Sequence, residues 1–287
     1  MKNEQVIVSV DGGGTNTRVV ISIDDKKTFK QFNFGVNYKK CSNVEESFKK
    51  VSSYIDDLVG IQNVDRFVFG LAGIDLDAQK DIEVYKNIIS NILKIDSFDE
   101  KVKIFNDIYL VDGLLASNDE NRIIVICATG SNVLYRSKKK IQTNTDIGFH
   151  SLGGTRHIVE YFINHTPIEE SPLELKELIM KYKGIDFDKN QLQVIDDFKN
   201  ASFKLLSSVQ NKHSKDACLF GINSMIDAIN THIEGNTNEL IIYLYGGQFK
   251  SIGYKELFIE TLKARKIPYS RIEHIITEAV YGGIVID

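Results

Sequence analysis

Val10-Asp11-Gly12-Gly13-Gly14-Thr15-Asn16-Thr17-Arg18 decides how this chain reads. An apolar run from Gln5 to Val10 precedes it and an alternating run from Arg18 to Ile23 follows, so the pattern predicts strand, glycine loop, strand. Three consecutive glycines expose backbone N–H groups that no side chain obstructs, and Thr15 and Thr17 add hydroxyls. Phosphate oxygens can approach such a surface closely. The chain has no GxxxxGK[ST] motif, and a GxGxxG dinucleotide loop opens a helix whereas these glycines lead into a strand. The same residues could also form a plain hairpin turn. Asp11 tips the balance toward phosphate, because a carboxylate beside phosphate-binding amides helps only when a cation such as Mg²⁺ comes with the phosphates.

Working outward, Asn43 to Val59 carries Val44, Phe48, Val51, Ile55, Leu58 and Val59 at helical spacing, with Gly60 as a stop. The pattern then alternates: strand Arg66 to Leu71, helix Ala78 to Leu93, strand Lys101 to Phe105, helix Ile108 to Ser117. A second α/β region opens near Arg122 with strand Arg122 to Cys127, the turn Ala128-Thr129-Gly130-Ser131-Asn132 and strand Val133 to Arg136. This repeats the opening layout 117 residues further on (Asp11 to Ala128) and suggests two related halves. Helices are expected at Thr155 to Asn164, Pro172 to Lys183, Lys189 to Val209 and Ser214 to Ile233, then strand Glu239 to Leu244. Beyond Gly246-Gly247 follow a helix near Tyr254 to Lys266, a strand near Arg271 to Ile275 and a last helical stretch to Asp287.

A chain of 287 residues exceeds one ordinary core, so two domains are expected, 1–117 and 118–287. The last helix is a candidate to pack back on the first. The balance of 35 basic and 39 acidic side chains implies no general attraction to nucleic acid or to an anionic membrane. Lys138-Lys139-Lys140 reads as a solvated turn between strands. Cys41, Cys127 and Cys218 are isolated and odd in number, which fits neither a disulfide framework nor a metal cluster and points to a reducing compartment. No apolar run approaches the ~20 residues that span a bilayer, and the start lacks a signal-peptide pattern, so a cytoplasmic protein is expected. The six histidines have no zinc-site spacing.

Three further groups could carry chemistry. Asn106-Asp107 stands where a strand ends and a helix begins, the place where open α/β sheets put functional groups; a helix N-cap is the plainer reading of Asp107. Thr129-Gly130-Ser131-Asn132 could grip phosphate or merely turn a hairpin. Tyr245-Gly246-Gly247 after a strand would admit a flat ring such as adenine, and is also a common turn.

In order and at these separations the pieces resemble the N-acetylglucosamine kinases, and more broadly the group that contains archaeal broad-specificity hexokinases and the activator ATPases of benzoyl-CoA reductase. The matching pieces span nearly the whole chain: VDGGGTNTR (Val10 to Arg18), GVN (Gly35 to Asn37), FGLAGID (Phe69 to Asp75), Asn106-Asp107, ATGSN (Ala128 to Asn132), YGGQFKS (Tyr245 to Ser251) and AVYGG (Ala279 to Gly283). The resemblance implies an α/β, two-lobed actin-like (ribonuclease H-like) fold with duplicated mixed-sheet domains and a cleft between them. It further implies an ATP-dependent kinase acting on the C6 hydroxyl of a hexose or N-acetylated amino sugar, with ATP and Mg²⁺ as cofactors, as a homodimer.

Position by position, the resemblance implies that Gly13, Gly14, Thr15 and Thr17 hold the β and γ phosphates, with Asp11 beside Mg²⁺ through water. Thr129, Gly130 and Ser131 would meet the phosphates as well, Thr129 also on the substrate side. Asn37, Gly73 and Asp107 match sugar-binding positions, with Asp107 as catalytic base, and Gly246 and Gly247 match the adenosine turn. One segment departs. Where the family reads a glycine, two acidic residues, a glycine and a serine, this chain has Gly153-Gly154-Thr155-Arg156-His157. That puts N-acetylglucosamine itself in doubt and leaves the sugar open. The rival readings are an ATP-hydrolysing activator of a partner enzyme, for which three isolated cysteines offer poor cluster ligands, and a non-catalytic sugar or nucleotide sensor.

Overall fold

The computed structural model describes residues 5–24, 26–74, 78–115, 121–138, 140–149, 152–185, 200–202, 204–233 and 240–286. Two compact units result, Met1–Ser117 with Thr277–Asp287, and Asn118–Ile276.

The first unit is built on a five-stranded mixed sheet ordered β3-β2-β1-β4-β5, from β1 (Val6–Gly12), β2 (Thr17–Ile23), β3 (Lys26–Phe32), β4 (Arg66–Leu71) and β5 (Val102–Asn106). β1, β2 and β3 run antiparallel, and β4 and β5 continue parallel to β1. Every residue of β1 is buried, as a strand covered on both faces must be. Val6, Val8 and Val10 face a core shared with α1 (Val44–Val59) and α2 (Ala78–Leu93), where Phe48, Val51, Ile55, Tyr85 and Ile89 meet Phe67 and Phe69. The opposite face is covered by α4 (Ile108–Gly113), which follows the single turn α3 (Phe98–Lys101) and β5, and by the 3₁₀ helix Ala279–Ile284. That last contact depends on glycine, since a Cβ on Gly282 would strike the Leu110 carbonyl and one on Gly283 would strike Ser9.

The second unit repeats the topology. Its sheet is ordered β10-β9-β6-β7-β8, from β6 (Arg122–Cys127), β7 (Ser131–Ser137), β8 (Lys140–Thr143), β9 (Ile241–Tyr245) and β10 (Arg271–His274). Here β6, β7 and β8 are antiparallel, with β9 and β10 parallel to β6. The hairpin pair and the two parallel strands therefore flank the opening strand in both units, so the expected duplication holds at the level of strand order and direction. Helices α5 (Thr155–His165), α6 (Leu173–Tyr182), α7 (Lys212–Ile233) and α8 (Ile252–Ala264) enclose a core around Phe162, Ile222, Met225, Leu244 and Phe258.

Several expectations shift. β1 runs on through Asp11 and Gly12, so the turn is only Gly13–Asn16. β3 was not foreseen, because its pattern Lys-Lys-Thr-Phe-Lys-Gln-Phe is exposed almost throughout and offers no alternation to read. The last helical stretch is a 3₁₀ helix. Of the expected helix Lys189 to Val209, residues 200–202 and 204–207 are helical and 189–199 lie outside the described residues. Asp75, Ser117, Lys139, Glu239 and Asp287 lie outside them too.

Candidate active site

In the first unit the strand register gathers the expected residues. Gly12 pairs with Leu71 and Leu71 pairs with Asn106, so the carboxyl ends of β1, β4 and β5 stand level across the sheet. With neighbouring strands about 4.8 Å apart, Asn106 stands about 10 Å from Gly12. The three connections leaving this edge carry the glycine loop, Ala72-Gly73-Ile74 and Asp107.

The glycine loop is held from below. Gly13 N–H donates to Asn16 O (3.0 Å), and Thr17 spends its hydroxyl on Phe34 O (2.9 Å). Thr17 is therefore a buried support of the loop in this structure, whereas Gly13, Gly14 and Thr15 are partly exposed. Asp11 ends buried at the same edge, where Arg18 Nη1 lies 3.0 Å from its Oδ2; Arg18 Nε in turn lies 3.2 Å from Glu278 Oε2. Burial pushes the Asp11 carboxyl above the usual carboxylate range, the Arg18 cation pulls against that shift, and Glu278 adds to it.

Asn37 and Gly73 touch. Gly73 has φ +95°, a left-handed conformation that favours glycine, and a Cβ there would stand 2.6 Å from Asn37 Oδ1. Tyr85 ties their two segments together: its buried hydroxyl donates to Ala72 O (2.7 Å) and accepts from Tyr38 N–H (3.3 Å). Burial keeps that hydroxyl protonated, and the nearby Asp107 charge works in the same direction. Asp81, also buried, accepts from the Tyr38 hydroxyl and from Lys39 Nζ (2.9 Å). Asn106 uses its amide to bind Ile74 O (2.6 Å), and its Oδ1 accepts from Ile108 N–H (3.0 Å). Asn106 thus takes the role of securing the start of α4. Asp107 stands at the N-cap position, half-buried, and its carboxylate makes no capping hydrogen bond.

In the second unit the corresponding edge is tied together by one carbonyl. Ala128 O accepts from Thr155 N–H (2.9 Å), the Thr155 hydroxyl (2.9 Å) and Gln248 Nε2 (3.0 Å), joining the ATGSN turn, the start of α5 and the turn after β9. Thr129 and Gly130 remain exposed, and Ser131 is half-buried. Gly246 has φ +110° and lies so close to Cys127 O that no Cβ fits, while Gly247 and Gly130 have nothing within 4 Å of a Cβ. Gly246 occupies the place in this sheet that the Ala72-Gly73 segment occupies in the other, directly after the parallel strand next to the opening strand. Gly154 packs against Thr129 and Gly130 as the N-cap of α5. The first turn of α5 carries no acidic residue, so the departure seen in Gly153–His157 is a neutral-to-basic helix start beside the turn.

Arg18, Glu278, Tyr85, Asp81 and Gln248 were not singled out from sequence. Each acts through a partner 7 to 260 positions away, and no local pattern marks such partners. Among the described residues no group of three or more His, Cys, Asp or Glu could hold a metal ion. None of their helices is long and apolar enough to cross a membrane.

No protein-family profile matches the chain, and no curated protein matches it in sequence. Solved structures do match. A provisionally named N-acetylglucosamine kinase from Porphyromonas gingivalis aligns with TM-score 0.65 at 15% identity, over 98% of this chain and 97% of that one. A ROK-family glucokinase from Streptomyces griseus, in complex with glucose and AMPPNP, aligns with TM-score 0.64 at 11% identity, over 98% of each. A ROK-family transcriptional regulator, a homologue of the E. coli MLC protein, aligns with TM-score 0.59 at 10% identity, over 98% of this chain and 77% of that one. The fold of this chain is thus that of the actin-like sugar kinases, a frame that a transcriptional regulator shares.

Proposed function

We propose that the chain is an ATP-dependent sugar kinase that transfers the γ-phosphate of ATP to the C6 hydroxyl of a hexose or amino sugar. The observation that supports this most is the level row Gly12, Leu71, Asn106. It sets the strand end that leads into Asp107, whose carboxylate the helix does not use as a cap, about 10 Å across the sheet from the strand end that leads into the glycine loop, with Gly73 on the connection between and its neighbour Asn37 beside it.

In this reading Gly13, Gly14 and Thr15 bind the terminal phosphates through backbone and hydroxyl donors, and Thr17 holds the loop in shape. Asn37 and Gly73 bind the sugar. Asp107 accepts the proton of the attacking hydroxyl as that oxygen approaches phosphorus, a role that typically contributes about 10² to 10⁴ in rate. Thr129, Gly130 and Ser131 are the phosphate contacts of the second unit, with Thr129 also on the substrate side, and Gly246 and Gly247 are its adenosine contacts. The donor set suits Mg²⁺ bound mainly by nucleotide phosphates and water: Asp11 stands at the loop, and among the described residues no group of three or more His, Cys, Asp or Glu is gathered to cage an ion. Mg²⁺ would neutralise charge on the phosphates there. Residence in the cytoplasm, homodimerisation and domains divided at 117/118 belong to the same reading.

The test is ADP release with Mg²⁺ over a panel of hexoses, amino sugars and N-acetyl amino sugars, with Asp107→Asn alongside. Release that one sugar stimulates and the variant loses supports the kinase. Release indifferent to every sugar points to an activator ATPase, and sugar binding without release points to a sensor.

A further inference from the structure

The segment Gly35–Cys41 lies against the glycine loop at four points. Val36 N–H donates to Gly13 O (3.1 Å). Gly35 sits so close to the Gly14 carbonyl that no Cβ fits. The Cys41 thiol points at Gly14 O (3.7 Å). Finally, Lys40 Cδ stands 3.7 Å from the place a Cβ on Gly14 would occupy. The backbone beneath Lys40 is a closed turn, since the N–H groups of Lys40 and Cys41 both donate to Asn37 O (3.0 and 2.8 Å). The stem of Lys40 is therefore carried along the rim of the loop, and two more bonds bring its ammonium about 2.5 Å beyond Cδ.

The loop Gly13–Asn16 contains no cation of its own, and the guanidinium of Arg18 is shared between Asp11 and Glu278. Backbone amides supply only partial charge to an anion, whereas a nucleotide triphosphate brings about four negative charges, and a lysine is the usual compact counter-charge for phosphate. We propose that Lys40 is a phosphate-binding residue whose ammonium pairs with the terminal phosphates of a nucleotide seated on Gly13, Gly14 and Thr15. The inference rests on the nucleotide reading of that loop and adds a contact that the sequence resemblance does not assign.

The experiment measures binding of AMPPNP and of ADP, each with Mg²⁺, to the whole chain and to Lys40→Met, Lys40→Arg and Lys86→Met. Methionine keeps the stem and removes the charge. Lys86 pairs with Asp99 on the same unit, on α2 and α3, so Lys86→Met controls for the change in net charge. The expected result is AMPPNP binding weakened about tenfold to a hundredfold in Lys40→Met, ADP weakened less, Lys40→Arg close to the unaltered protein and Lys86→Met unchanged. Equal affinities of Lys40→Met and the unaltered chain overturn the proposal. So do equal losses for both nucleotides in both Lys40 variants with a lowered melting temperature, because they would make Lys40 a packing residue. If the unaltered chain binds neither nucleotide, the loop reading itself falls and the Lys40 contact with it.

Discussion

Arg18 Nη1 lies 3.0 Å from Asp11 Oδ2 across the antiparallel β1–β2 pair, and its Nε lies 3.2 Å from Glu278 Oε2. One guanidinium thus joins the end of the first strand to a residue of the C-terminal segment. Asp11 is buried, and an uncompensated carboxylate there is costly. Arg18→Ala should therefore destabilise the first unit by about 3 kcal/mol at neutral pH, read from urea unfolding. Folded-state burial raises the Asp11 pKa, and losing Arg18, which opposes that shift, raises it further. The folded variant then takes up a proton that the unfolded chain releases, so its deficit shrinks as pH falls toward the folded pKa. Asp11→Asn combined with Arg18→Ala should recover part of the loss. A deficit that is constant with pH would count against the pairing.

Asp107 allows two roles to be separated by stability. A carboxylate that caps a helix contributes about 1 kcal/mol, but the Asp107 side chain makes no such bond. Asp107→Ala should shift the melting temperature by less than the loss of a cap would, while turnover falls about 10² to 10⁴-fold. Parallel calorimetry and ADP-release assays check both halves. A drop in stability with turnover preserved would return Asp107 to the capping role.

His232 makes the second unit sensitive to acid. Burial between α7 and β7, stacked on Tyr135 with ring centroids 6.2 Å apart, lowers its pKa to about 4. Lys140 adds to that shift and Asp146 opposes it. Between pH about 6.5 and 4 the unfolded chain binds a proton that the folded one refuses, so stability falls as pH falls through that window. His232→Phe should flatten this slope, by about 2 kcal/mol across the window after allowance for partial solvent access. Urea midpoints at pH 7, 6, 5 and 4 measure it, and parallel slopes for the two proteins would exclude His232 as the source.

What was legible in sequence was whatever the chain states locally. The strands Arg66–Leu71 and Arg122–Cys127 and the helix Ala78–Leu93 stand at the expected bounds, because each is a short apolar run or an amphipathic repeat with clear ends. The edge strand Lys26–Phe32 was not legible: solvent surrounds it, and its fit comes from rings on other segments, Tyr281 against Phe29 and Tyr54 against Phe32. Asp107 could be singled out from its place at a strand end. Its company could not, because Tyr85, which links Ala72 to Tyr38, is set by tertiary packing. For the same reason no local pattern marked Gln248, whose amide reaches Ala128 O, Gly153 O and the Thr155 hydroxyl.

Glycines at the two sheet edges divide into those the protein itself requires and those that only a ligand could require. At Gly73 and Gly246 φ is positive and a Cβ would meet Asn37 or Cys127, so alanine there should lower stability by about 1–3 kcal/mol whatever the protein binds. Gly73→Ala should in addition raise the KM for sugar by displacing Asn37. Gly130 and Gly247 have open space around a Cβ and no positive φ, so Gly130→Ala and Gly247→Ala should leave the melting temperature within about a degree. If nucleotide phosphates close on the ATGSN turn and adenosine passes Gly247, an added methyl meets the ligand, and each variant should weaken AMPPNP binding about tenfold. Titration of AMPPNP with paired thermal melts separates the cases. Unchanged affinity in both stable variants would remove the second unit's turns from the nucleotide site.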